Sequence, residues 1–216
     1  MAATTTTIAR LDHLAALLFP ARCPGCGRPA EPVCDRCLGQ ALPPPPARPP
    51  AGVDRWVAPF AYDGVMRELV ARAKFRGRHA ALHWLGACVA EAWMATGAPA
   101  PTVVTWMPAA PVRRRARGID HARVLGRAVA AGLGVPAAAL LTRRDAGAQT
   151  ERALSDRRRG PVVAAVRPVT GTVMVVDDVA TTGATLRVCA RALRGAGAEQ
   201  VVAATAARTP PGRSRG

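Results

Sequence analysis

The sequence is poor in aromatic residues and in lysine. Only 4% of its residues are Phe, Trp or Tyr, and Lys74 is the single lysine among 216 residues. Half of the residues are hydrophobic, so the core must be built mainly from Ala, Val and Leu, and the composition is that of a globular protein rather than a disordered one. The scarcity of aromatic rings also argues against an extended platform on which nucleic-acid bases stack.

Long hydrophobic runs are lacking as well. No apolar segment approaches the roughly 18–20 residues that a membrane-spanning helix needs. The stretch from Leu11 to Pro20 is too short, carries Asp12 and His13, and lacks the small-residue cleavage pattern of a secretory signal. We therefore expect a cytoplasmic protein with no membrane span.

Acidic residues are few. The chain has 14 Asp and Glu against 30 Lys and Arg, which gives a net charge of +16. Nearly all of the positive charge is arginine, and Ala, Pro and Gly are abundant, so a bias toward GC-rich codons explains the charge as well as a polyanionic partner does. Either origin produces a field that concentrates anionic ligands, and charge alone does not choose among them.

The cysteines of the N-terminal part form two pairs, CPGC and CDRC, separated by seven residues. Cys23, Cys26, Cys34 and Cys37 can supply four thiolates to one tetrahedral Zn²⁺. Four sulfur ligands leave no position for water, so the ion would be structural. The alternatives are disulfides, which a cytoplasmic protein disfavours, and a redox-active CxxC, which needs no second pair.

A proline-rich segment from Leu42 to Pro50 (LPPPPARPP) marks the clearest boundary. It predicts an extended polyproline spacer that holds two parts at a distance. The predicted organisation is an N-terminal helix with a small four-cysteine zinc knuckle in 1–41, a linker in 42–51, one α/β domain in 52–208 and a frayed tail in 209–216.

The rest of the chain alternates between predicted strands and helices. We predict strands over 56–62, 102–107, 162–166, 173–176 and 201–205, and helices over 65–75, 79–95, 119–131 and 183–195. This alternation predicts a mostly parallel sheet with helices on both faces. Ligands bind such sheets at the carboxyl ends of the strands.

The stretch from Val173 to Thr185, VMVVDDVATTGAT, carries the strongest functional signal. The strand delivers Asp177 and Asp178 to its carboxyl end, where the two carboxylates are expected to face ribose hydroxyls. Small residues, threonine hydroxyls and a helix N-terminus then favour phosphate. The predicted phosphate-binding residues are Val179, Ala180, Thr181, Thr182, Gly183, Ala184 and Thr185. The alternative is a Thr-capped helix that follows a strand with two solvated aspartates.

These thirteen residues closely resemble the motif with which type I phosphoribosyltransferases bind 5-phosphoribosyl diphosphate (PRPP). The resemblance implies a type I phosphoribosyltransferase-like parallel sheet flanked by helices in 52–208. It also implies Mg²⁺ bound with PRPP, and Asp177 and Asp178 as the catalytic pair beside the ribose.

Further stretches resemble the ComF (competence protein F) family in family order over nearly the whole chain. They are LLFPARCPGC with the second CxxC, YDGVMRELVARAKFRG, RARGIDHARVLGRAV, and Gln149 with the basic run after Leu154. The resemblance implies a role in natural transformation and DNA uptake, with other competence-machinery proteins as partners. Ile119-Asp120-His121 departs from the family's usual Phe-Asn-Gln after Arg117-Gly118.

The basic candidates for pyrophosphate or DNA lie in two other segments: Lys74, Arg76, Arg113, Arg115 and Arg117. Solvated basic turns are the alternative. The sequence is consistent with three functions. The first is a PRPP-dependent phosphoribosyltransferase with an unidentified acceptor, and the second is a non-catalytic single-stranded DNA-binding competence factor that uses the same pocket and basic loops. The third is a ligand-binding regulator on the same fold. The sequence offers no convincing general base.

Overall fold

The structure is a computed structural model that describes residues 22–30, 32–73, 79–109, 120–144 and 162–210. The elements in chain order are α1 (Asp35–Leu38), β1 (Arg55–Val57), β2 (Phe60–Ala61), α2 (Gly64–Ala73), α3 (His79–Met94), β3 (Val103–Trp106), α4 (His121–Leu133), β4 (Leu141–Arg144), β5 (Val162–Ala165), β6 (Thr172–Ala180), α5 (Ala184–Gly195) and β7 (Gln200–Arg208). The predicted N-terminal helix and residues 211–216 of the predicted tail lie outside these ranges. Thr209, predicted as the start of the frayed tail, is held to β6 because its N–H donates to the Ala180 carbonyl oxygen at 3.0 Å.

A parallel sheet forms the centre of the fold, with the strand order β1-β7-β6-β3 and with β2 paired to the end of β7. β7 is buried from Val201 to Arg208. Its alanine side chains are small, so helices can pack closely on both faces of the sheet. β4 and β5 pair with each other as a separate antiparallel ribbon. The fold class is therefore confirmed as α/β, with a mostly parallel sheet.

Helices cover both faces of the sheet. On one face, Leu85 and Val89 of α3 and Leu125 of α4 share a buried cluster with Met174 of β6. On the other face, the buried side of α5 packs against alternate residues of β6 and β7. None of the helices in the described part of the chain is both long and apolar enough to cross a bilayer.

Four element predictions differ from the structure. β7 runs from Gln200 to Arg208 rather than over 201–205. The predicted strand 56–62 is two strands, because Pro59 has no N–H to donate to a strand ladder. β4 was not predicted at all. β6 continues to Ala180 rather than ending at Val176, since its pairing with β7 extends through Ala180 and Arg208.

The proline-rich segment forms neither helix nor strand. It does not hold the knuckle at a distance, so that part of the prediction is wrong. The Arg72 guanidinium of α2 lies 3.5 Å from the Gly25 carbonyl oxygen, and Val33 packs against the main core. The segment itself is anchored near both ends, because the Ala61 N–H donates to the Leu42 carbonyl at 2.8 Å and Pro50 contacts Gly183. Burial of the Val33 and Pro50 side chains helps to hold the knuckle and the segment against the domain.

Candidate functional site

The candidate site lies at the carboxyl ends of β6 and β7, where the chain passes from β6 through residues 181–183 into α5. Asp177 and Asp178 were expected just beyond the strand, but they lie within it. Backbone pairing continues past them, with Asp177 opposite Thr205 and Ala180 opposite Arg208. The strand therefore fixes the backbone of the acidic pair.

The two aspartates are half-buried, and the Asp178 N–H donates to Asp177 Oδ1 at 2.9 Å. Asp177 lies near Cys189 of α5. The burial of Cys189 and, to a smaller extent, the negative charge of Asp177 raise the pKa of Cys189 to about 12. Carboxylate oxygens in this position can accept hydrogen bonds from sugar hydroxyls or coordinate a hard cation such as Mg²⁺.

The loop after β6 has the geometry of an anion cradle. Gly183 adopts a left-handed conformation with φ of 68° and is the N-cap of α5. Glycine has no capping side chain, and the Ala184 N–H makes only a long hydrogen bond of 3.4 Å to Thr182 Oγ1. A ligand can compete for this donor, and the helix dipole favours an anion there. The exposed Thr181 and Thr182 hydroxyls flank this turn. Arg187 braces it by donating from Nη1 to the Thr182 carbonyl oxygen at 2.9 Å.

The structure brings the predicted residues 177–185 together as one strand, loop and helix start. Within this set, Ala180 is only 4% exposed and Val179 packs against the core. Only their backbone groups can serve a ligand. Lys74, Arg76, Arg113, Arg115 and Arg117 lie outside the described residues, and their binding roles stay predictions.

A cavity of about 490 Å³ opens beside the carboxyl end of β3. Its described walls include Trp106, and its basic groups are Arg123, Arg127 and Arg143. Asp120 also lines it and caps α4 by accepting from the Arg123 N–H at 3.2 Å. The sequence analysis did not identify these arginines, because two of them lie on the polar side of a helix whose periodicity indicated only its core face.

A second group that the sequence analysis missed lies at the end of β7. The Arg208 side chain is 8% exposed, and its guanidinium carbon lies 4.9 Å from the centre of the Trp56 ring. Trp56 Nε1 in turn donates to Thr205 Oγ1 at 3.1 Å. The predicted topology could have pointed to this group. A strand over 201–205 that is parallel to the motif strand ends at the same edge of the sheet, so residues just after it lie near the motif.

The four N-terminal cysteines form one cluster, with all four sulfur atoms within 4.8 Å of one another. Cys26 Sγ and Cys34 Sγ are 3.6 Å apart. A tetrahedral zinc ion with Zn–S bonds of about 2.3 Å sets its sulfur ligands roughly 3.8 Å apart, so the cluster fits a metal ion and is consistent with zinc.

The environment lowers the pKa of two thiols in this cluster, and at Cys26 the main cause is a backbone hydrogen bond from Arg28. Burial raises the pKa of Cys23, but backbone hydrogen bonds from Cys34, Cys26 and Gly25 outweigh it and lower the pKa to about 6. The other two cysteines are remote. Cys189 is buried and donates to Met107 Sδ at 3.5 Å, as expected for a core residue.

Comparison with known proteins gives one family-model match and several likenesses to parts of solved structures. Residues 120–215 match the family model described as a phosphoribosyl transferase domain. The matched segment, less than half of the chain, contains β6, the loop and α5. No curated protein matches the chain.

Several solved structures are similar to part of the chain. "Structure of the allosteric regulatory enzyme of purine biosynthesis" is 26% identical, with a TM-score of 0.43. Glutamine phosphoribosylpyrophosphate amidotransferase from B. subtilis, complexed with ADP and GMP, is 27% identical, also with a TM-score of 0.43. Each covers 60% of this chain, whereas the chain spans only 26% of their length. Purine phosphoribosyltransferase from Pyrococcus horikoshii Ot3 is 16% identical with a TM-score of 0.37, covering 60% of this chain and 83% of its own.

Proposed function

We propose that the chain binds PRPP with Mg²⁺ through residues 177–185 and transfers its phosphoribosyl group to an acceptor. The observation that carries this proposal is the continuous unit of two half-buried aspartates, a glycine-capped loop and a helix N-terminus. The phosphoribosyl transferase domain match includes this unit.

Each part of the unit has a chemical role in the proposal. Backbone N–H groups of the loop and of Ala184, together with the Thr181 and Thr182 hydroxyls, hold the 5-phosphate. Asp177 and Asp178 fix the ribose through its hydroxyls. Mg²⁺ supplies charge for the departing diphosphate. Cleavage of the glycosidic bond develops positive charge on the ribose, so fixed carboxylates nearby stabilise the transition state electrostatically.

The resemblance in the N-terminal and middle motifs supports a ComF-like protein of the cytoplasm, linked to natural transformation and DNA uptake. In this proposal the four-cysteine knuckle holds a structural Zn²⁺. The knuckle contacts α2 rather than the phosphate loop, so its expected role is to stabilise the domain and not to take part in transfer.

Calorimetry with PRPP and Mg²⁺ tests the site. Asp177→Asn keeps the shape of the side chain and removes its charge, so we expect about a tenfold or larger loss of affinity. Glu91→Gln on α3 is the matched control, since it removes one carboxylate from an exposed position and should leave binding unchanged. Equal binding by the wild type and Asp177→Asn excludes the assigned site.

Diphosphate release tests catalysis separately. Wild-type protein with PRPP, Mg²⁺ and a panel of acceptors should release diphosphate, and Asp177→Asn should not. PRPP binding without release from any acceptor would leave a ligand-binding protein and rule out the transferase.

The second candidate is a single-stranded DNA-binding competence factor that uses the same pocket. It is favoured by the three arginines around the cavity at the end of β3. This cavity is lined by residues other than 177–185, but β3 is the strand that pairs with β6. Binding of an unstructured oligonucleotide should weaken steeply between about 50 and 200 mM salt if several phosphates are contacted. Absent or salt-insensitive binding would eliminate this candidate.

A further inference from the structure

Arg208 is a buried cation for which the described part of the chain supplies no counter-ion. It is 8% exposed, takes part in none of the ion pairs between described residues, and has a buried Nε without a hydrogen-bond partner. Burial lowers its pKa. A buried guanidinium is unfavourable unless an anion compensates it, so the side chain is built to receive one.

A second unpartnered group lies next to it. Thr209 Oγ1 is also buried without a hydrogen-bond partner, while the Thr209 N–H donates to the Ala180 carbonyl oxygen at 3.0 Å. Ala180 is the residue that precedes the Thr181–Gly183 loop. The two unsatisfied polar side chains therefore border the phosphate loop itself.

The register of the sheet places Arg208 on the α5 side. Arg208 is the Cα partner of Ala180, whose side chain is buried in the cluster beneath α5, and partners on neighbouring strands point to the same face. Its guanidinium lies over Trp56, which contacts Thr205, and Thr205 is the partner of Asp177. Arg208 thus shares a face and an edge of the sheet with Asp177 and the start of α5.

We propose that Arg208 and Thr209 form a second wall of this site and bind the monophosphate end of the phosphoribosyl ligand. The identity of the ligand rests on the proposed function, whereas the anion site does not. The guanidinium can donate two parallel hydrogen bonds to a phosphate, and the Trp56 ring supports its plane through a cation–π contact. The loop and the arginine then hold the phosphate from two sides.

Three ligands separate the parts of this proposal: PRPP with Mg²⁺, ribose 5-phosphate, and inorganic phosphate at matched ionic strength. Affinity for the first two is measured by calorimetry and for phosphate by thermal shift. Arg208→Met should bind all three about tenfold or more weakly, Arg208→Lys should retain part of the affinity, and Thr209→Val should show a smaller loss. Arg191→Met removes an exposed arginine of α5 and should bind like the wild type.

The outcomes distinguish this proposal from the proposed function. Equal affinity of the wild type and Arg208→Met for ribose 5-phosphate overturns it while leaving PRPP binding possible. A loss that appears with PRPP alone moves Arg208 to the diphosphate end and refutes the monophosphate assignment. If the wild type binds phosphate and ribose 5-phosphate but does not bind PRPP, the arginine site is supported and the proposed function is refuted. Wild type that binds no phosphate overturns the site.

A readout without ligand keeps the test independent of folding defects. Because the buried charge has no counter-ion in the described part of the protein, Arg208→Met should melt at or above the wild-type temperature in phosphate-free buffer. A clear fall in melting temperature would mean that the protein itself stabilises the cation, and it would overturn the inference.

Discussion

Pro50 lies directly against Gly183, the glycine that turns β6 into α5. A Cβ atom placed on Gly183 would come within 2.6 Å of Pro50 Cγ, and the glycine has a φ of 68°. The end of the proline-rich segment therefore packs on the loop 181–183. Position 183 has no room for a side chain, and its left-handed backbone is unfavourable for any residue but glycine.

Gly183→Ala should destabilise the protein by about 1–3 kcal/mol, because the left-handed conformation is costly for alanine and Pro50 must move. The same change should weaken PRPP binding, since it alters the helix start. Urea unfolding and calorimetry measure the two effects. Gly195→Ala is the control: no atom lies within 4 Å of its added Cβ, and alanine in a helix gains up to about 1 kcal/mol. Pro50→Ala should rescue part of the loss, and no rescue would mean that the contact is unimportant.

Arg194 of α5 holds Gly52 and Asp54, which follow the proline-rich segment. It donates to both carboxylate oxygens of Asp54 at 2.7 and 2.6 Å and to the Gly52 carbonyl at 3.1 Å. The pair is partly exposed, so Arg194→Met should cost only about 1 kcal/mol, and less at high salt. A double-mutant cycle with Asp54→Asn in urea at low and high salt measures the coupling. Arg191→Met should leave the free energy of unfolding unchanged. An equal loss of stability in that variant would attribute the effect of Arg194→Met to net charge.

The sequence was informative wherever local periodicity and motif chemistry agree. β3, α3 and α5 lie within two residues of their predicted bounds, because buried apolar spacing and a terminal glycine set them. The acidic pair and the loop could be located for the same reason. By contrast, β6 outlasts its apolar run because β7 continues to pair with it, and that partner lies more than twenty residues away. The contacts of Pro50 and Arg208 are tertiary and have no local signal.

Zinc content is the direct test of the cysteine cluster. Purified protein should carry about one zinc per chain, and Cys26→Ser, at the exposed edge of the cluster, should lose most of it. Metal removal should lower the melting temperature, because the knuckle packs on α2 through Gly25 and Val65. Cys88→Ser should keep its zinc. Full zinc content in the Cys26→Ser protein would show that the ion lies elsewhere.

Gly86 sets the distance between α3 and α4. A Cβ at this position would overlap the Cβ of Ala128, so the two helices touch through backbone and methyl groups. Glycine to alanine within a helix usually stabilises, but Gly86→Ala should cost about 1–3 kcal/mol through overpacking. Chemical denaturation of the two variants should show a lower free energy of unfolding for Gly86→Ala and a higher one for Gly195→Ala than for the wild type. Stabilisation by both changes would refute the close approach.

Thiol reactivity reports the environment of Cys88, which is half-buried on α3. Burial and the neighbouring Glu91 charge raise its pKa to about 11. At pH 8 only about one molecule in a thousand then carries the thiolate, the reactive form. Labelling of Cys88 in the zinc-loaded wild type should accelerate about tenfold per pH unit between pH 8 and 10. Glu91→Gln lowers the pKa and should speed labelling at pH 8. A rate that levels off near pH 9 in the wild type would contradict the raised pKa, and a rate unchanged by Glu91→Gln would assign the shift to burial alone.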